Sequence, residues 1–179
     1  MMPLLTPLLA LSLAATSMPT DHDGRHDFDF EFGAWRVHHR TLAKDGTWLE
    51  FDGTCTTRPA MDGSANVEEH FFDKASGRTH GMAIRAYDAA TKDWAIWWID
   101  GRAPHLALDP PVKGRFVDGI GTFYADGVYE GKATRTRFIW TVVDARHARW
   151  EQALSEDLGK TWTTNWKMSF ERIGEAEGS

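Results

Sequence analysis

The chain has a single cysteine, Cys55, so no internal disulfide can form and no multi-thiolate metal cluster can be built. Beyond the first residues it has no apolar run long enough to cross a bilayer as a helix. No stretch holds an apolar period near 3.6 residues over helical length, which leaves little of the chain to α-helix. Positive charge is in short supply too. Twenty Lys and Arg against 26 Asp and Glu leave a net charge of −6, which gives no electrostatic attraction to nucleic acid or an anionic membrane. Motifs of nucleophilic or metal catalysis are missing: there is no Gly-x-Ser-x-Gly and no His-Glu-x-x-His. His38 and His39 are neighbours in an extended run, face opposite ways and cannot share an ion. Glu68 and Glu69 likewise point apart and do not form a glycosidase-type carboxylate pair. No metal site and no cofactor is expected. Haem, which some barrels hold through one histidine, would have to use His39, the one His whose alternation points inward.

What the chain has in abundance is rings: nine Trp and ten Phe in 179 residues. Each buried ring removes about 150–250 Å² from water, so a few can dominate the stability of one domain. Residues 1–17, "MMPLLTPLLALSLAATS", are uncharged, too short for a membrane span, and end on small residues. They read as a signal peptide, and the protein as periplasmic or secreted (cytoplasmic if Met18 is the true start). Residues 18–30, which take in most of "DHDGRHDFDFEF" at 21–32, read as a flexible polar lead-in, 31–173 as one barrel domain and 174–179 as a disordered tail.

Within 31–173 short β-like runs alternate with Asp/Gly turns: "AWRVHHRTL", "TWLEFDGTCTT", "NVEEHFF", "THGMAIRAY", "WAIWWI", "TRTRFIWTVV", "RWEQALS" and "TWTTNWKMSF". In the clearest runs one face is apolar: Trp35, Val37 and His39; Phe138, Trp140 and Val142; Trp162, Trp166, Met168 and Phe170. A meander of such runs without long crossovers predicts an all-β fold, a single antiparallel up-and-down barrel of about 8–10 strands that closes its own edges. "SEDLGKTW" at 155–162 matches a box found in sialidases. Asp157 can accept from turn amides, Gly159 can supply positive φ, and Trp162 can pack under the turn. One full copy without a propeller-length repeat reads as a hairpin device, not sugar chemistry.

"FDFEFGAWRV", with Gly33-Ala34-Trp35, resembles the opening of calycin-type barrels, the lipocalin and fatty-acid-binding superfamily. The succession "FDGTC", "NVEEH", "AIRAYD", "WAIWW", "PPVKGRF", "RFIW" and "RWEQALSEDLGKTWTTNWKM" resembles a bacterial family of unknown function with a lipocalin-like barrel. That likeness covers roughly residues 26 to 172. It implies a fold, a habit of enclosing small molecules, and a floor where Trp35 lies under an Arg, with Arg172 the first choice and Arg149 the reserve; it implies no activity.

The leading expectation is therefore a barrel that binds a small apolar or aromatic ligand, with no nucleic-acid partner and no membrane span. Glu69, Arg85 and Gln152 are the expected polar anchors, walled by Trp98, Trp140 and Trp166, because each of Glu69 and Gln152 shares a face with apolar residues. A carboxylate turned inward needs a cation, and Arg85 is the nearest candidate. Two alternatives stay open: an enzyme on the same barrel with Glu69 or His39 as acid or base, and a filled barrel with a structural or partner-binding role.

Overall fold

The computed structural model describes residues 23–129 and 131–175; the expected signal peptide at 1–17 and the last four residues of the expected tail lie outside them. Ten strands follow in order: β1 (Gly33–Leu42), β2 (Trp48–Ala60), β3 (Ala65–Lys74), β4 (Gly77–Asp88) and β5 (Asp93–Asp100). The second half comprises β6 (Val112–Val117), β7 (Ile120–Tyr129), β8 (Lys132–Asp144), β9 (His147–Ser155) and β10 (Thr163–Gly174). Each pairs antiparallel with the next, and β10 returns to β1, closing the barrel. The closing seam runs from Ala34↔Gly174 to Thr41↔Trp166, so no edge is left at the point where chain ends meet. No helix among the described residues is long and apolar enough to cross a membrane.

The floor end is filled by rings. Trp35, Trp94, Trp140, Phe116, Phe123 and Phe170 are buried there. Residues 23–30, expected as part of a flexible lead-in, are instead built into this core. Two short 3-10 turns, Gly24–His26 and Asp29–Glu31, lead into β1 and carry Phe28, Phe30 and Glu31 inward. Phe28 is fully buried, edge-on to Trp94 at 5.0 Å and to Phe116 at 4.9 Å. Burying one such ring is worth about 1.5–3 kcal/mol, enough to hold a short polar segment in place. A segment this polar must also satisfy its backbone, and the barrel supplies the donors. Trp94 Nε1 donates to Gly24 O at 2.7 Å and Trp35 Nε1 to Glu31 O at 2.7 Å. Arg172 donates to the carbonyls of Phe30 and Phe32, and its guanidinium lies 4.3 Å from the Trp35 ring centre. Gly33 opens β1 at φ 115°, in the left-handed half of the map, where the plug turns into the wall.

The hairpin at 155–162 uses its residues as its motif demands. Asp157 accepts from the amides of Lys160 (3.0 Å) and Thr161 (2.8 Å) and from the hydroxyls of Ser155 and Thr161 (both 2.7 Å). These donors hold its carboxyl below the usual carboxylate range. Gly159 takes φ 96°. Trp162 departs from the face expected of it. A register shift between Thr164 and Trp166 breaks the alternation, so Trp166 enters the barrel while Trp162 lies against the outer wall. There the Arg137 guanidinium sits 4.3 Å from the Trp162 ring and Tyr124 packs at 6.0 Å.

Candidate functional site

Above the aromatic floor the interior becomes polar. β4 places Gly81, Ala83 and Arg85 inward, all buried, as its pattern of small residues suggests. β3 does the opposite of what its composition suggests. The apolar-looking face with Val67, Glu69 and Phe71 is outside, and Glu69 is exposed. The inward face is Asn66, Glu68, His70 and Phe72, all buried. Glu69 is therefore not an interior anchor; Glu68 takes the position beside Arg85. His39 was not the only inward histidine either, since His70 is equally buried.

Arg85 pairs with Glu31 of the plug at 2.5 Å and with Glu68, and donates to Asn66 Oδ1 at 3.0 Å. Its guanidinium also lies 4.9 Å from the Phe28 ring and 5.5 Å from the Trp140 ring. One cation faces two buried carboxylates, so both cannot stay ionised cheaply. Burial drives the Glu31 carboxyl well above its usual range, against the pull of Arg85 and aided by the like charge of Glu68. Burial would raise Glu68 as well, but Arg85 and then His70 outweigh it and hold that carboxyl below the usual range. The assignment is an ionised Glu68, a protonated Glu31 and a charge-balanced pair.

From Glu68 a hydrogen-bonded chain runs toward the open end. Glu68 Oε1 lies 2.5 Å from His70 Nδ1, His70 Nε2 lies 3.1 Å from His39 Nε2, and Trp166 Nε1 donates to His39 Nδ1 at 3.2 Å. An indole N–H can only donate, which sets every proton along the chain. His39 accepts at Nδ1, so it carries its hydrogen on Nε2 and donates to His70, which then donates through Nδ1 to Glu68. Burial, with the neighbouring His70 adding to it, lowers His39 to a pKa of about 3. Both of its nitrogens are engaged, and its ring is stacked on Phe51 at 4.7 Å. Such a histidine is a strut rather than an acid, a base or a free haem ligand.

Cys55, Glu68 and His70 do bring ligand-type atoms within 4.8 Å of one another. The set does not fit a cation. Both Glu68 oxygens are taken by His70 and Arg85, burial pushes the Cys55 thiol well up, and the Arg85 charge sits alongside.

At the open end the inner face is again aromatic. Phe51 and Phe72 roof the two histidines, and Trp166 lies 5.9 Å from Phe72 and from Trp150. Gln152 and Phe138 face each other across β8 and β9; Gln152 is half-buried, donates to Asn165 Oδ1 at 3.1 Å, and forms no hydrogen bond with Arg85. Trp140 is deep in the floor beneath Arg85, far from this end. Trp98 lines the opening. β5 and β6 register only over Trp94↔Gly114, Ala95↔Lys113 and Ile96↔Val112, so Trp98 stands past the end of the pairing and is 41% exposed. Its ring lies over Gly81, where an added Cβ would come within 2.2 Å of the indole. The sequence-expected set is thus divided: Arg85 and Trp140 in the sealed centre, Trp98, Gln152 and Trp166 at the mouth, Glu69 outside. Glu31, Glu68, His39 and His70 complete the polar chain. Only the alternation of His39 with Trp35 and Val37 signalled any of these four from sequence.

Two hollows mark the described residues outside the lumen. One of about 170 Å³ is on the outer wall around Phe71, His80, Met82 and Ile99, and a wide cleft at the floor is bordered by Phe30, Lys92 and Arg115. The first also borders Gly81, Gly101 and Pro104 beside the mouth, and the second lies at the opposite end of the barrel.

No protein-family model matches the chain, and no curated protein does. Among solved structures, an S-type phycobiliprotein lyase from Guillardia theta is similar, with a TM-score of 0.56 over 89% of this chain and 96% of that one, at 9% sequence identity. At that identity the likeness carries the fold alone. The resemblance read from the ordered motifs accordingly stands at the level of architecture: the chain is a closed, lipocalin-like barrel of ten antiparallel strands.

Proposed function

We propose that the protein binds one small, largely aromatic or apolar molecule at the open end of the barrel, against Trp98, Phe51, Phe72, Phe138 and Trp166. The observation that carries this reading is Trp98: a large indole on the inner face, 41% exposed where β5 outruns β6. Exposed aromatic surface inside a concave end costs free energy unless something covers it, at about 25 cal/mol per Å². Ligand sites are commonly of this composition, apolar walls with a few polar groups. The sealed chain below supports the reading by supplying a rigid base, its histidines committed to one another and to Trp166. The apolar leader, read as an export signal, would place this binding outside the cytoplasm.

The test is titration with N-phenylnaphthylamine, a neutral dye whose emission rises in apolar sites, beside native mass spectrometry of the freshly purified protein. Saturable binding that weakens at least several-fold in Trp98→Ala is expected. Gly81→Ala, which must push the indole off its seat, should weaken it too. Binding that ignores both substitutions would place the dye elsewhere and end the proposal.

A further inference from the structure

The mouth holds one side chain that its aromatic surroundings do not explain. Lys74 is the last residue of β3 and continues the inward series Asn66, Glu68, His70, Phe72. Its ammonium lies 5.0 Å from the Phe51 ring centre and 5.6 Å from that of Phe72, directly over the rings that roof the histidines. It is half-buried, and among the described residues it has neither a carboxylate within ion-pair distance nor a hydrogen-bond acceptor. Three carboxylates of the neighbouring strands have other partners. Asp100, the inward neighbour two residues beyond Trp98, is bound at both oxygens by Arg102; Asp73 pairs outside the barrel with Arg78, and Glu50 with Arg40. The local balance is therefore a paired Asp100–Arg102 and an unpaired Lys74.

An ammonium spread over two rings retains some favourable interaction with their faces, on the order of 0.5–2 kcal/mol at a ring. It still lacks the charge-assisted partner that a partly desolvated cation would normally have. Burial, with Arg102 adding to it, already lowers the Lys74 pKa below its ordinary value. An anion arriving here would relieve both the desolvation and the repulsion from Arg102.

We propose that the molecule taken by the mouth is an aromatic or apolar anion, whose carboxylate or equivalent acidic head sits on the Lys74 ammonium while its rings lie against Trp98, Phe51 and Phe72. This rests on the binding reading above and narrows it to one chemical class. The geometry assigns the head to the rim and the apolar body to the lumen, since the cations deeper inside among the described residues are committed, Arg85 to Glu68 and Arg172 to the carbonyls of Phe30 and Phe32.

Two dyes sharing one skeleton separate the inference from the reading beneath it. Anilinonaphthalene sulfonate carries an anionic head; N-phenylnaphthylamine does not. With the wild-type protein the anionic dye should bind about fivefold more tightly, the scale of a partly exposed ion pair, and added salt should erode that preference. Lys74→Met should abolish the preference by weakening the sulfonate alone, and Lys74→Arg should restore it. If Lys74→Met leaves the ratio of the two affinities unchanged, or weakens both dyes alike, Lys74 merely covers the rings and the inference fails while the mouth remains a binding site. If neither dye binds the wild-type protein, the site itself is refuted and the inference falls with it.

Discussion

Replacing Arg85 by Met tests the centre of the barrel directly. Methionine keeps most of the stem volume and removes the charge, so the change isolates electrostatics better than alanine would. The wild-type pair is fully buried: Arg85 is 2% exposed and Glu68 3%. Without the guanidinium, Glu68 must either stay ionised with no cation beside it or take up a proton. Removing one partner of a buried ion pair typically costs about 3–5 kcal/mol. Lost cation–π contact with Phe28 and Trp140 falls within that spread. For a chain of this size each kcal/mol moves the thermal midpoint by roughly 2–4 °C, so a fall of about 6–20 °C is expected by circular dichroism.

The double variant Arg85→Met with Glu68→Gln should recover at least about 2 kcal/mol of that loss in urea titrations, since the amide oxygen still accepts from His70 while no charge is left unpaired. The pH dependence of the single variant follows in sign. Burial without Arg85 would raise the Glu68 pKa above its unfolded value. A raised carboxyl favours folding below the unfolded value, and that contribution is lost as pH rises through the folded one. The deficit against wild type should therefore shrink as pH is lowered from neutrality toward about 4. A single variant within about 1 kcal/mol of wild type, or a double variant whose loss equals the sum of the singles, would refute the buried-pair account.

Two further outcomes can be checked with the same instruments. His39 is lowered from 6.5 to about 3, so its contribution is fully present above 6.5 and is lost as pH falls toward the folded value. Between pH 6.5 and about 4 this amounts to about 3 kcal/mol, and a His39→Gln variant should lose that part of the slope; an unchanged slope would assign it to other groups. Asp157→Ala should lower the thermal midpoint by a few degrees and leave dye binding at the mouth untouched, because the turn it ties lies outside the lumen. Its depressed carboxyl stabilises the fold above the unfolded pKa and loses that effect as pH drops, so the difference between variant and wild type should narrow in acid.

Local chemistry was enough for the strands, the turns and the closure of the barrel. Period-two alternation in β1 and β8, Asp/Gly punctuation, and the Ser155–Trp162 hairpin each depend on residues within a few positions of one another. The floor contact of Trp35 with Arg172 came from the likeness to calycin barrels and lies between the first and last strands. What local chemistry could not supply was the choice of face. Alternation in β3 says that Glu68 and Glu69 point opposite ways, but apolar content selects Val67, Glu69 and Phe71 for the inside. The barrel chose the other face because Glu68 meets Arg85 from β4, and Arg85 meets Glu31 from a plug 54 residues away in sequence. A polar face can be buried only if its partners arrive from elsewhere, and their arrival is a property of the closed barrel. The same holds for Trp162 and Trp166, four residues apart, where one irregular step in β10 puts one outside and the other against His39. Phe28 and Glu31 sit in a segment whose composition reads as solvent-loving, and they became core because Arg172, Trp35 and Trp94 hold its carbonyls. Which polar groups are inside was decided by what each meets across the lumen.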